Sequence, residues 1–234
     1  LRKSKNIFSF QNDYKKFSPT FSDKDTKKIL FIGDSHSKDV FNIFYTNKNY
    51  YKKYEFARYG FNLKDIFNKR KTYLLNSETF IKADIIVLSL RYSNEDILLI
   101  EKMFKMITSY NKEMILVLKK PEFEGNNRKN KTFVDMLMAK GKKLNLDEIN
   151  SLSYKKLNRK KFETINEQII KLYDGKIKIL SLYELVCDDI KKKCDVLNEN
   201  SSKNFYDYGH FTLSGSKYFG LKFINKKMYK KYFD

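Results

Sequence analysis

The chain has no tryptophan and, among 234 residues, only two prolines, two cysteines and two histidines. Each scarcity excludes something. The cysteines, Cys187 and Cys194, are spaced wrongly for a zinc pair, and no further cysteine or suitably placed histidine completes a tetrahedral metal set. No run of about 18 apolar residues occurs, the length that a membrane-spanning helix needs. No signal-peptide pattern opens the chain, which begins at Leu1 rather than Met and reads as a piece or processed form of something longer. Arginine is scarce as well, at six of the 48 basic residues.

That last shortage bears on the charge. With 28 acidic residues the formal net charge is +20, which raises the question of a nucleic-acid partner. Arginine is the usual reader of bases and phosphates, the lysines are scattered through every segment, and no RNA- or DNA-binding motif is present. The expectation is therefore no nucleic acid and a solvated lysine surface. Attraction to an anionic membrane surface or an acidic glycan is the alternative.

The two cysteines flank a polar loop, C-D-D-I-K-K-K-C. As the only pair in the chain they are expected to form a disulfide, with two free thiols as the alternative. Closing so short a loop contributes about 2–3 kcal/mol on the chain-entropy model. A disulfide implies a compartment outside the cytoplasm.

The length fits one α/β domain with a substantial core, preceded by a lead-in at residues 1–26, so the domain is expected over 27–234. Short apolar runs predict strands at 28–32, 54–59, 83–90, 114–118 and 177–182. Helical spacing predicts helices over 37–46, 62–75, 95–109 and 213–232, with one or two more in 132–172. Residues 122–131 read as a polar loop, and Lys119-Lys120 as a solvated strand end. The alternation implies a parallel sheet flanked by helices, with the site at the carboxyl ends of the strands.

Two strings carry chemistry. Gly33-Asp34-Ser35-His36 follows the first strand and sets a hydroxyl where strand turns into helix. Asp207-Tyr208-Gly209-His210 sets a carboxylate three residues before an imidazole. Any imidazole base must be His36 or His210. His36 neighbours Ser35, and adjacent side chains at a helix start diverge, which leaves His210. Ser35, His210 and Asp207 then supply nucleophile, base and orienting acid for acyl transfer, with no cofactor. Asp34 is expected to shape the turn by hydrogen bonding. Arg91 and Tyr208 are candidate substrate contacts; His36 is expected to pack or to line the cleft, with a substrate contact as the alternative.

These strings resemble the SGNH, or GDSL, hydrolase superfamily over residues 28–225. The resemblance implies a flavodoxin-like three-layer α/β sandwich of about five parallel strands, with Ser35 as nucleophile and Asp207 and His210 as acid and base. It also implies an oxyanion hole formed by the N–H groups of Ser35 and Gly60. The superfamily's G-x-N-D block is altered here to Ser89-Leu90-Arg91-Tyr92-Ser93-Asn94, so the third donor is either Asn94, set late, or absent. The G-D-S-H string, the strand-end Arg91-Tyr92, the two-cysteine loop and Phe211-Thr212-Leu213-Ser214-Gly215 are similar to a narrower group. That group is the extracytoplasmic domain fused or partnered to membrane acyltransferases that O-acetylate surface polysaccharides.

The resemblance thus implies an acyl donor, a glycan acceptor and a membrane acyltransferase module upstream or in trans. It implies a periplasmic or cell-surface location, tethered through a segment not in this sequence. An esterase using the same triad, and a glycan-binding domain that has lost the chemistry, are the competing expectations.

Overall fold

The computed structural model describes residues 20–126, 131–139 and 145–233. Five strands, β1 (Lys27–Ile32), β2 (Tyr54–Tyr59), β3 (Ile85–Ser89), β4 (Glu113–Val117) and β5 (Lys178–Leu180), pair in the order β2-β1-β3-β4-β5, all parallel. Their near-continuous apolar composition is what a sheet covered on both faces requires. Successive side chains point to opposite faces, and the core divides accordingly. Ile29, Phe31, Val87 and Val117 join one cluster; Leu30, Ile32, Leu88 and Leu116 join the other. The result is the three-layer α/β sandwich expected from the sequence.

The first cluster lies beneath α1 (Ser35–Tyr45), α5 (Leu213–Asn225) and α6 (Met228–Phe233) and is rich in phenylalanine. Phe44 alone meets Phe31, Phe56, Phe223 and Phe233 at ring-centroid distances of 5.0–5.6 Å. The second lies beneath α2 (Asn94–Ser109), which a reciprocal Ser93–Asp96 capping box starts. Helices α3 (Leu146–Lys155) and α4 (Glu163–Tyr173) follow β4. The end of the expected lead-in reaches the domain: Phe21 is buried, and Ser22 bonds the Glu55 carboxylate through both N–H and hydroxyl.

Several expectations are corrected. The helix expected over 213–232 is two, because Lys227 adopts a left-handed φ of 53° between α5 and α6. The helical stretch expected within 132–172 holds three α-helices among the described residues, Phe133–Ala139, α3 and α4; an Asn145–Glu148 capping box starts α3. Lys119 and Lys120 are buried rather than solvated, since the carboxylate of Glu122, three residues on, meets Lys119 and that of Asp39, from α1, meets Lys120. The expected polar loop begins with buried Glu122 and Phe123, and its residues 127–130 lie outside the described residues.

Cys187 and Cys194 are disulfide-bonded, directly opposite each other in a two-stranded antiparallel ribbon, Cys187–Asp188 with Lys193–Cys194. Helices α1 and α5 pack closely at Gly220, where a Cβ would lie 2.4 Å from the Ile43 carbonyl oxygen and 2.1 Å from Asn47 Nδ2. That amide is engaged, donating to the carbonyls of Ile43 and Lys217. Gly220→Ala is expected to cost about 1–3 kcal/mol through this overpacking. An unchanged urea midpoint would contradict the packing described.

Candidate active site

The serine turn is built by glycine and aspartate. Gly33 ends β1 with φ of 143°, and a Cβ there would lie 1.9 Å from the Ser89 carbonyl oxygen, so only glycine permits this approach to β3. Asp34 then caps α1: one carboxylate oxygen accepts the His36 N–H at 2.8 Å and the other accepts the Arg91 N–H at 2.9 Å. One side chain thereby ties the exit of β1 to the exit of β3. Ser35 is the first residue of α1 and is exposed.

The histidine turn hangs over it from the other end of the chain. Tyr206 N–H donates to the His210 carbonyl at 2.7 Å, and the Phe123 N–H donates to the Tyr208 carbonyl at 2.7 Å. Within the turn, Asp207 Oδ1 accepts the N–H groups of Gly209 and His210 at 2.9 and 2.8 Å. Asp207 Oδ2 lies 2.8 Å from His210 Nδ1, and His210 Nε2 lies 2.8 Å from Ser35 Oγ. A carboxylate can only accept, so Nδ1 carries the proton and Nε2 is left to accept from the serine hydroxyl. Burial pushes the Asp207 carboxyl up, but the hydrogen bond and charge of His210 and the two N–H donors outweigh it and hold the carboxyl below the usual range.

Beneath these groups lies a layer of buried charge. His36 is 1% exposed, with its ring 5.3 Å from that of His210. Burial, then the charges of Lys120, His210, Arg91 and Lys119, push its pKa well below the ordinary histidine value. Asp39 and Lys120, 0% and 2% exposed, form an ion pair; burial pushes the Asp39 carboxyl up and Lys120 pulls it back. Lys120 also lies over the Phe211 ring at 5.1 Å. Glu122 is fully buried against Gly209 and meets Arg91 at 3.4 Å and Lys119 at 3.3 Å. The Arg91 guanidinium stacks on the Tyr208 ring at 4.8 Å, and Lys161 lies 5.7 Å from the same ring.

The structure therefore brings Ser35, His210 and Asp207 into one hydrogen-bonded line, with His36 beneath it and Arg91 and Tyr208 beside it. Gly60, half-buried, follows β2 directly. Asn94 sits on the exposed first turn of α2, and no hydrogen bond joins it to Ser35 or His210 among the described residues. Among the described residues no cluster of histidine, cysteine and carboxylate side chains is arranged to hold a metal ion. Sequence reasoning missed Arg58 of β2, which donates to the Asp34 carbonyl at 2.7 Å, and Asp39, Lys120 and Glu122. Three of them carried a faint signal: Arg58 interrupts an apolar strand, and Lys-Lys-Pro-Glu sits at a strand end on the rim where the site was expected.

A family model for the SGNH domain (fused to AT3 domains) matches residues 9–225. Among curated proteins, none matches in sequence. The fold is similar to the periplasmic domain of a lipopolysaccharide acetyltransferase from Salmonella ser. Paratyphi A, with a TM-score of 0.61 and 17% identity over 95% of this chain and 98% of that one. A putative acylhydrolase from Bacteroides fragilis is similar at a TM-score of 0.52 and 13% identity, covering 95% of this chain and 97% of the other. A GDSL-like lipase from Bacteroides thetaiotaomicron is similar at 0.50 and 14%, covering 94% and 98%. At these identities the structural likeness speaks for the fold, while the family match spans nearly the whole chain. The chain belongs to the family of SGNH domains found fused to AT3 domains.

Proposed function

We propose that this domain transfers an acyl group, acetyl in the simplest case, to hydroxyls of a cell-surface polysaccharide through an acyl-serine at Ser35. The observation that carries the reading is the hydrogen-bonded line from Ser35 Oγ through His210 to Asp207. Ser35 Oγ attacks the acyl carbonyl while His210 Nε2 takes its proton, and Asp207 holds the tautomer and stabilises the imidazolium. The oxyanion forms against the N–H groups of Ser35 and Gly60, with the positive end of α1 behind them. His210 returns the proton to the leaving group, then removes one from the sugar hydroxyl that attacks the acyl-enzyme, and returns it to Ser35 Oγ as the acyl–serine bond breaks. Arg91 and Tyr208 form the wall beside His210 that the acceptor meets.

The family's fusion to AT3 domains and the likeness to an acetyltransferase's periplasmic domain favour transfer, a membrane acyltransferase partner and an extracytoplasmic setting. The disulfide agrees with that setting. The same residues serve an esterase when water, not a sugar hydroxyl, takes the acyl group, and the acylhydrolase and lipase folds keep that second reading in view.

Ser35→Ala is expected to abolish fluorophosphonate labelling and release of p-nitrophenol from p-nitrophenyl acetate, and Asp207→Asn to slow that release about 10³–10⁴-fold. Labelling that survives Ser35→Ala would remove the serine from the mechanism. Supplying an acceptor oligosaccharide separates the two readings: acetylated sugar supports transfer, whereas acetate release with no acetylated sugar under any condition selects the esterase. No reactive thiol is expected in the denatured, non-reduced protein, and titration of two would contradict the extracytoplasmic assignment.

His36 serves as the neutral layer under His210, and this has a pH consequence. Its folded pKa is depressed, so below about pH 6.5 the unfolded chain binds a proton that the folded chain refuses. Stability from this group is complete above that pH and declines as pH falls through it. His36→Phe is expected to flatten this part of the stability profile in denaturant titrations. An identical slope in the two proteins would show that His36 ionises freely when folded.

A further inference from the structure

Arg58 stands on β2 as the register partner of Phe31, in a stretch whose neighbours are Phe56, Ala57 and Tyr59. It is 8% exposed, a position where a guanidinium is costly unless its donors are used. They are used on the serine turn. Nη2 donates to the Asp34 carbonyl at 2.7 Å and to the Gly33 carbonyl at 3.4 Å, and Nε donates to Ser37 Oγ at 2.9 Å. The Ser37 hydroxyl in turn donates to the same Asp34 carbonyl at 2.8 Å.

The Asp34 carbonyl and the Ser35 N–H are two ends of one peptide unit. A cation drawing electron density onto that oxygen deepens the amide resonance and leaves the N–H more positive. We propose that Arg58 is a positioning residue that polarises the Asp34–Ser35 peptide, strengthening the Ser35 N–H as a donor to the oxyanion. This rests on the acyl-serine reading given above. Ser37 is the second half of the device, since it orients the guanidinium and adds its own donor to the same carbonyl. The contribution belongs to the transition state and the tetrahedral intermediate it leads to, because negative charge on the acyl oxygen is absent from the bound ester and develops only along that step.

An anchoring role alone would act differently. An arginine that merely held the turn in place would, when lost, let Ser35 shift against His210, disturbing ground-state binding and the pH profile along with the rate. Polarisation changes the oxyanion's energy and leaves the Ser35–His210–Asp207 line intact.

The test uses the full chain with Arg58→Met, which keeps length and removes every donor, alongside Ser35→Ala. Acylation by p-nitrophenyl acetate is read from the p-nitrophenolate burst as a function of ester concentration, which separates the acylation rate from ester affinity. A trifluoromethyl ketone, which adds to the serine as a tetrahedral oxyanion, is the second probe. The expected result is an acylation rate lower by about 10-fold or more, unchanged ester affinity, an unmoved acid limb of the pH–rate profile, and ketone affinity weakened by the same factor. Arg58→Lys should recover part of both losses.

Acylation within about twofold of the parent, or a rate loss with unchanged ketone affinity, would overturn the proposal. Should Arg58→Met fail to fold, Ser37→Ala is expected to weaken rate and ketone binding together by a smaller factor, and no effect on either would overturn it. Activity surviving in Ser35→Ala would instead refute the acyl-serine reading. A dead Ser35→Ala beside a fully active Arg58→Met leaves that reading standing and removes this one alone.

Discussion

The carboxylate of Asp34 accepts one backbone N–H from the start of α1 and another from the chain leaving β3. The rest of the site depends on this double acceptance. It starts the helix at Ser35 and sets where that helix begins relative to the neighbouring strand. Gly33 makes the approach sterically possible, and Arg58 and Ser37 take up the carbonyl on the opposite side of the same residue. Both carboxylate oxygens of Asp34 and its carbonyl thus serve to orient the residue that follows it.

The opposite half of the site rests on the exit of β4. Lys119, Lys120, Glu122 and Phe123 pack inward and reach α1 through Asp39, the chain after β3 through Arg91, and the histidine turn through Gly209 and Tyr208. Buried ion pairs of this kind are poor sources of net stability, since desolvation offsets most of the attraction. Their orientation constrains geometry, and they stand where two segments 175 residues apart must meet at hydrogen-bond distance.

Much of this was legible from the residues. The short apolar runs marked all five strands within a few residues, because a parallel sheet covered on both faces needs unbroken apolar segments of about that length. The meeting of Ser35, His210 and Asp207 in one hydrogen-bonded line was legible because the chain holds so few histidines and because the loops involved leave the same rim. The buried lysines were misread. A lysine pair after a strand looks solvated until the fold supplies the Asp39 carboxylate from α1 and turns Glu122 of the same loop inward, and only the nearby glutamate hints at such partners. The break between α5 and α6 was equally hidden, since Lys227 is a poor local marker of a left-handed turn. Asp39 gave no signal of its own, since its partner Lys120 is 81 residues away in the chain, and Arg58 showed only as a charge within an apolar strand, the backbone it meets being brought to it by the sheet.

The turn from Tyr206 to His210 closes on itself: the acid and the imidazole share one short loop whose backbone is bonded end to end and whose aspartate holds two of its own amides. Acid and base therefore travel as a single piece, and thermal motion cannot readily part them. The remaining seam is the gap between that piece and the tip of α1. In the proposed acyl transfer, readiness to react is thus governed by one clearance, and a bulky guest that wedges it open by an ångström would silence the serine without disordering anything on either side.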